Sequence, residues 1–239
     1  MNTVNSVDLL ERASRQDWYH TLELSPGQWT DGWFDLRPDV ARYGLPEDMR
    51  GMRVLEIGPW DGFWSFEMER RGAQVVAIDL DDERDLDWPP RHRPETFPEK
   101  PRGSGFALAK EILDSKVERV ECSIYDATPE RFGAFDLVFC GSVLIHLRDQ
   151  MLALQRIAGL TRDAFISSEV YQPFLGLVPF APARFMAHRA QVEFWRPAAR
   201  TWTKMIWAAG FDRVERRGTF RMRAKGMRVP HVVHHAHKV

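Results

Sequence analysis

Apolar residues recur at Leu9, Leu10, Ala13 and Trp18, a helical spacing near the start of the chain, with Ser6 as the expected cap. From about residue 24 to 51 this pattern gives way to Pro, Gly and Trp (SPGQWTDGWFDLRP), which predicts an ordered loop with short turns. At Arg53 the texture changes again. MRVLEIG is a short aliphatic run closed by glycine, FWSFEMERRGA reads as a helix with a glycine exit, and QVVAIDL is a second buried strand. Strand, turn, helix and strand within about 30 residues make the βαβ unit of a parallel sheet.

Beyond Asp79, DDERDLDWPPRHRPETFPEKPRGSG is charged and proline-dense, so it predicts an excursion from the sheet. GFALAKEILDSK regains helical spacing, and VERVECSIYD and FDLVFCGSVL read as two further strands separated by PERFGA. Residues 149–160 predict a helix and AFISSEVY another strand. A second irregular stretch, rich in aromatics, runs over 173–195, before a helix at 197–209 with Pro in its first turn and Gly210 at its end. DRVERRGTFRM and RVPHVVHHAHKV predict a terminal antiparallel pair. There is no internal repeat and no long linker, so one α/β domain with two inserted covers is expected.

Composition narrows this picture. The 239 residues are 44% hydrophobic with a net charge of -1, which excludes disorder of the whole chain. No run approaches the roughly 18–20 apolar residues of a membrane helix. The opening MNTVNSVDLLERASRQ lacks a basic-then-apolar leader, so the expected location is the cytoplasm. Cys122 and Cys140 have no metal-ligand spacing and read as free thiols of a reducing compartment. Charge is uneven: residues 184–239 hold thirteen Lys/Arg against three Asp/Glu. The plain reading is a solvated basic face; the sharper one is attraction of an anionic substrate such as RNA phosphate.

The chemistry concentrates in Glu56-Ile57-Gly58-Pro59-Trp60-Asp61-Gly62, at the strand-to-helix junction where open α/β sheets bind ligands. Glycines at 58 and 62 permit positive φ and close backbone approach. Asp79 closes the next strand, 17 residues after Gly62 and 21 after Gly58. That matches the acid about 20 positions on that grips a ribose diol, so an adenosine-containing ligand is expected. In a dinucleotide fold the middle glycine of this turn lets a pyrophosphate lie against the backbone. Here that position holds Trp60, with the charge of Asp61 beside it, and both oppose a diphosphate. A carboxylate there suits a ligand bearing an ammonium and a sulfonium, which is S-adenosylmethionine. A tight turn without a ligand is the plainer alternative.

VLEIGPWDGFWSFEMERRGAQVVAIDL resembles motif I and the second strand of class I S-adenosylmethionine-dependent methyltransferases. SIYDATPERFGAFDLVFCGSVLIHL is similar to that superfamily's adenine-binding segment and fourth strand, and AAGFDRVERRGTF to its last helix and strand. WYHTLELSPGQWTDGWFDLRP, with VLIHL, further resembles bacterial transferases acting on the wobble uridine of tRNA, although Ile145 stands where that branch carries tyrosine. The resemblance implies a Rossmann-like fold: a mainly parallel seven-stranded sheet with a terminal antiparallel pair and helices on both faces. Residues 1–50 would form an N-terminal helix and lid, and 51–239 the cofactor-binding domain, with insertions at about 81–104 and 173–196. Carried over by position, Glu56, Gly58, Pro59, Trp60, Asp61 and Gly62 line the methionine and ribose side. Asp79 takes the ribose hydroxyls and Leu80 packs against the adenine. Asp126 accepts from the adenine amino group, Tyr125 flanks the ring, and Cys140 and Gly141 offer backbone groups beside the methionine part.

Methyl transfer from a sulfonium needs a nucleophile held at near-attack distance and, for a hydroxyl, a base for its proton. His146, just past the fourth strand, is the first candidate, since imidazole titrates near neutral pH; a histidine that only positions its loop is the alternative. Glu169 and Tyr171, at the end of the fifth strand, are second candidates, Glu169 reading equally as a buried structural carboxylate. His20, Trp33 and Arg37 precede the core, in a segment expected to close over the cofactor, with Arg37 placed to meet an anionic group. Met186 and the aromatics of the second insertion predict an apolar or ring-bearing acceptor. His231, His234, His235 and His237 have no fixed partner carboxylate, so no metal is expected. The expected activity is methyl transfer to a small-molecule acceptor, most simply at oxygen. A transferase acting on tRNA and a non-catalytic cofactor-binding protein are the alternatives.

Overall fold

Successive residues of the central strands alternate between two hydrophobic cores, which is why those runs are apolar at nearly every position. In the computed structural model, which describes residues 3–186 and 192–239, the strands are β1 (Arg53–Ile57), β2 (Gln74–Asp79), β3 (Glu118–Glu121), β4 (Phe135–Gly141), β5 (Thr161–Val170), β6 (Arg213–Ala224) and β7 (Met227–His237). Their order is β6-β7-β5-β4-β1-β2-β3. Strands β1 to β5 pair in parallel, and β7 inserts antiparallel between β5 and β6. The terminal antiparallel pair is therefore present. A two-residue strand, Phe34–Asp35, extends the sheet beyond β6, making eight strands where seven were expected.

Helices α1 (Thr3–Ser14), α2 (Phe63–Arg70) and α3 (Ser104–Leu113) cover one face; α4 (Gln150–Leu160) and α5 (Ala199–Ala208) cover the other. Val54, Ala77, Leu137 and Phe139 share a core with Trp64, Met68 and Phe106. Leu55, Ile78, Val138 and Cys140 share the opposite one with Leu154, Ile157 and Trp202. Each fully buried large apolar side chain contributes roughly 1.5–3 kcal/mol, so the two cores are the main source of stability. Trp202 also donates its indole N–H to the Val170 carbonyl at 3.0 Å, which pins α5 to the end of β5. The N-terminal fifty residues reach the same core: Tyr43 is 2% exposed and packs on Trp64 and Phe139.

Local boundaries differ from the sequence pattern in instructive ways. Helix α1 begins at Thr3, so Ser6 lies inside it and does not cap it. Asp149 caps α4 by accepting the Leu152 N–H at 2.9 Å. VERVECSIYD yields only the four residues of β3; Ser123 then starts a tight turn at Ile124–Asp126, its hydroxyl accepting the Tyr125 N–H. Strands β1 and β4 are neighbours whose chains depart toward opposite sides of the sheet, so a crevice opens beyond their carboxyl ends. Among the described residues, no helix is long and apolar enough to cross a membrane.

Candidate active site

The turn after β1 is built from unusual backbone. Gly58, Trp60 and Gly62 have φ of 68°, 50° and 90°. A Cβ at Gly58 would lie 2.4 Å from Val143, and one at Gly62 would lie 2.6 Å from Phe66, so the turn tolerates only glycine there. Trp60, with Pro59 before it, sends its N–H to Asp79 Oδ2 at 3.3 Å, and Leu80 sends its own to Oδ1 at 2.8 Å. The carboxylate that ends β2 thus faces the turn, with backbone N–H groups as its hydrogen-bond donors. Burial pushes Asp79 above the usual carboxylate range and the nearby Arg102 charge pulls it back. The Trp60 ring lies between two partners: Tyr19 stacks on it at 4.4 Å between centroids, and the Arg102 guanidinium carbon sits 4.0 Å from its centroid.

Asp61, expected beside a ligand ammonium, is 1% exposed. Its Oδ2 accepts the Tyr19 and His20 N–H groups at 2.5 and 3.0 Å, which ties the N-terminal segment to the turn. Burial raises it to about 6 against those two hydrogen bonds. Glu56 is likewise enclosed, receives the Ser65 hydroxyl and is pushed up to about 8 by burial, with Asp79 adding repulsion. His20 is 8% exposed, its Nδ1 has no partner, and burial lowers it to about 3, so it stays neutral.

A second turn follows β4. Beyond the buried Cys140 and half-buried Gly141, Ser142 has φ of 59° and its hydroxyl lies 2.8 Å from His231 Nε2. Beneath it, Glu169 is 0% exposed; its Oε1 accepts the Val143 and Leu144 N–H groups, each at 3.2 Å, and Oε2 has no partner. Burial pushes Glu169 up to about 8. This carboxyl shapes the turn from behind and does not line the crevice. His146 ends the turn. Its Nδ1 hydrogen-bonds the Val192 carbonyl, which can only accept, so Nδ1 carries the proton and Nε2 the lone pair. Burial, aided by Arg102, lowers its pKa, while Glu193 partly opposes.

The other expected residues fall around this centre. Tyr125 donates its O–H to Asp87 at 2.6 Å and accepts the Asp149 N–H at 3.0 Å; burial and Asp87 raise its pKa. Asp87 also accepts the Arg148 N–H, so the first insertion is fastened across the sheet edge beside Tyr125. Asp126 is exposed and Leu80 half-buried. Tyr171 lines a separate groove of about 360 Å³ with Pro173, Arg200, Arg216 and Thr219. Trp33 is 47% exposed. Arg37 makes two hydrogen bonds to Asp35 through Nε and Nη2 and lies over Trp29, so its charge is already paired within its own segment. His231, His234 and His235 bond Ser142, Thr203 and the Tyr43 carbonyl respectively, each a separate structural role.

Trp60, Asp79 and His146 are thus brought into reach of one charge, that of Arg102, with Tyr19 behind the indole. Neither Tyr19 nor Arg102 was expected; Tyr19 adjoins a flagged histidine, whereas Arg102 lies in proline-dense sequence that carries no spacing signal. The arrangement fits an adenosyl ligand without phosphates. Asp79 keeps lone pairs for a ribose diol, and the middle position of the turn carries an indole covered by Tyr19 and Arg102 in place of a glycine.

Residues 33–216 match the family described as a methyltransferase domain. The chain is 33% identical over 115 residues to a ubiquinone biosynthesis O-methyltransferase of Xanthomonas oryzae pv. oryzae, spanning 48% of this chain and 41% of that protein. A protein of the same description from Xanthomonas campestris pv. campestris is 33% identical over 125 residues, 52% of this chain and 42% of its own length. The match thus spans under half the length of these relatives. Among solved structures, the N-terminal domain of EvdMO1 with SAH bound superimposes with a TM-score of 0.68 at 16% identity, over 98% of this chain and 97% of that one. Magnesium protoporphyrin IX methyltransferase from Synechocystis with bound SAH gives 0.56 at 18% identity, over 85% and 82%. These structures share the fold of this chain.

Proposed function

The chain belongs to the methyltransferase domain family and takes S-adenosylmethionine as its cofactor, and on that premise we propose that it methylates a hydroxyl oxygen of a small molecule, with His146 accepting the proton. The observation that carries this reading is the His146–Val192 hydrogen bond. A backbone carbonyl holding Nδ1–H leaves Nε2 as the basic nitrogen, which is the tautomer a general base requires.

When bound, the cofactor supplies a methyl group already activated on a sulfonium. Asp79 holds the ribose hydroxyls through its free lone pairs, and the turn of Gly58 to Gly62 gives its backbone to the methionine side. Leu80, Tyr125 and Asp126 flank the adenine, while Cys140 and Gly141 present backbone groups at the end of β4. Glu169 and His231 position the turn before His146 and take no proton from the acceptor. His146 Nε2 removes the hydroxyl proton as the oxygen attacks, and the buried Glu193 carboxylate nearby favours the imidazolium that forms. Tyr19, stacked behind Trp60, closes the crevice from the N-terminal side.

Curated relatives described as O-methyltransferases support oxygen as the acceptor atom. The wobble-uridine branch, expected from the N-terminal segment and VLIHL, finds no support in them. Assays with methyl-labelled cofactor and a panel of phenols, sugars and hydroxy acids test the proposal. Label in a small-molecule ether supports it; label in bulk tRNA, or cofactor binding without any transfer, refutes it.

A further inference from the structure

Arg102 is a cation without an assigned partner. Its Nε is buried and makes no hydrogen bond, and no ion pair among the described residues includes it. Nearby Arg84 and Arg119 each grip an aspartate, at 2.8 and 2.6 Å. A guanidinium taken partly out of water and left unpaired is costly, and an anion supplied by a ligand removes that cost.

Its backbone is held in place. The Arg102 N–H donates to the Asp81 carbonyl at 2.9 Å, and the Gly103 N–H to Asp81 Oδ1 at 3.1 Å. A Cβ at Gly103 would lie 2.5 Å from the Asp81 carboxylate and from the Arg119 guanidinium, so the Asp81–Arg119 ion pair packs directly against this backbone. The guanidinium carbon then sits over the Trp60 ring, 4.0 Å from its centroid, and Tyr19 stacks on the same indole. The indole contact engages the face of the guanidinium and makes no use of its N–H groups, which arginine uses to bind carboxylates with two parallel hydrogen bonds. The charge lowers the pKa of both Asp79 and His146, so it lies within electrostatic reach of the expected ribose-binding acid and of the candidate base.

We infer that Arg102 is a carboxylate-binding residue of the crevice, receiving the carboxylate of either the cofactor's amino-acid end or the acceptor. The inference rests on the methyltransferase reading, and its test separates the two. Full-length wild type, Arg102→Gln and Arg102→Lys are titrated calorimetrically with S-adenosylhomocysteine and with 5′-methylthioadenosine, which lacks the amino-acid end. Each protein is then saturated with S-adenosylhomocysteine and titrated with benzoate, 4-hydroxybenzoate and the neutral benzamide. If the cofactor carries the anion, Arg102→Gln binds S-adenosylhomocysteine roughly tenfold or more weakly, with methylthioadenosine unchanged. If the acceptor carries it, S-adenosylhomocysteine binding is unchanged and saturable benzoate or 4-hydroxybenzoate binding is lost in Arg102→Gln, benzamide binding to neither protein. Arg102→Lys keeps the charge without the fork and should fall between. Equal affinities of wild type and Arg102→Gln in both arms overturn the inference. Failure of wild type to bind either nucleoside overturns instead the methyltransferase reading beneath it.

Discussion

The Nδ1 proton of His146 is held by the backbone carbonyl of Val192, 46 residues away in sequence. That contact joins the turn after β4 to the second insertion, and a further bond from the Phe194 N–H to the Ile145 carbonyl at 3.0 Å reinforces it. Replacing His146 with Ala should therefore lower turnover about 10²–10⁴-fold, the usual worth of a positioned base. Calorimetry should show S-adenosylhomocysteine affinity unchanged. Full activity in the variant removes His146 as the base.

The pH profile follows from the same residue. Burial lowers the His146 pKa below its ordinary 6.5. Above that lowered value Nε2 is free and the rate is flat in this group; as pH falls through it, the imidazole becomes protonated and the rate declines. Single-turnover rates from pH 4.5 to 8 should show an acid limb centred below 6.5, absent from the residual rate of His146→Ala. A limb unchanged by that substitution would assign it to another group.

Asp79 should be the main determinant of cofactor affinity on the ribose side. Removing charge-assisted hydrogen bonds costs roughly 1.5–3 kcal/mol, so Asp79→Ala should weaken S-adenosylhomocysteine binding about ten- to 150-fold. Asp79→Asn, which keeps an acceptor, should lose less. Equal affinity in wild type and Asp79→Ala would place the ribose elsewhere.

Glu169 yields a stability prediction with a definite sign. Its pKa is about 8 in the fold against an ordinary 4.5, so the folded state holds the proton more tightly than the unfolded chain. The associated stability is fully present below pH 4.5 and is lost as pH rises toward 8. Glu169→Gln keeps an acceptor for the Val143 and Leu144 N–H groups without the charge. Its melting temperature should exceed that of wild type by about 2–4 °C at pH 8 and match it near pH 4.5, with methyl transfer retained. A variant that melts lower at pH 8, or loses transfer, contradicts the positioning role.

The parts of this molecule readable from sequence are those set by short-range pattern. The short aliphatic run of Val54, Leu55 and Ile57 closed by glycine marked β1, and glycines 58 and 62 with Asp79 marked the crevice, because strand burial and turn sterics act locally. What stayed hidden depends on long-range partners. Asp61 looked like a ligand group until Tyr19 and His20, some 40 residues upstream, occupied its oxygen. Glu169 looked catalytic until burial placed it under the β4 turn. Phe34–Asp35 is too short for any periodicity to reveal a strand, and Arg102 owes its place to Asp81 and Gly103, not to any motif.

The central claim is methyl transfer to a small-molecule oxygen under the control of His146. Labelled methyl groups should be followed from S-adenosylmethionine into separated small-molecule and tRNA fractions, with wild type and His146→Ala in parallel. The account predicts label in an alkali-stable ether among the hydroxyl compounds, reduced at least a hundredfold by the substitution. Label confined to tRNA, or equal label from both proteins, would contradict it.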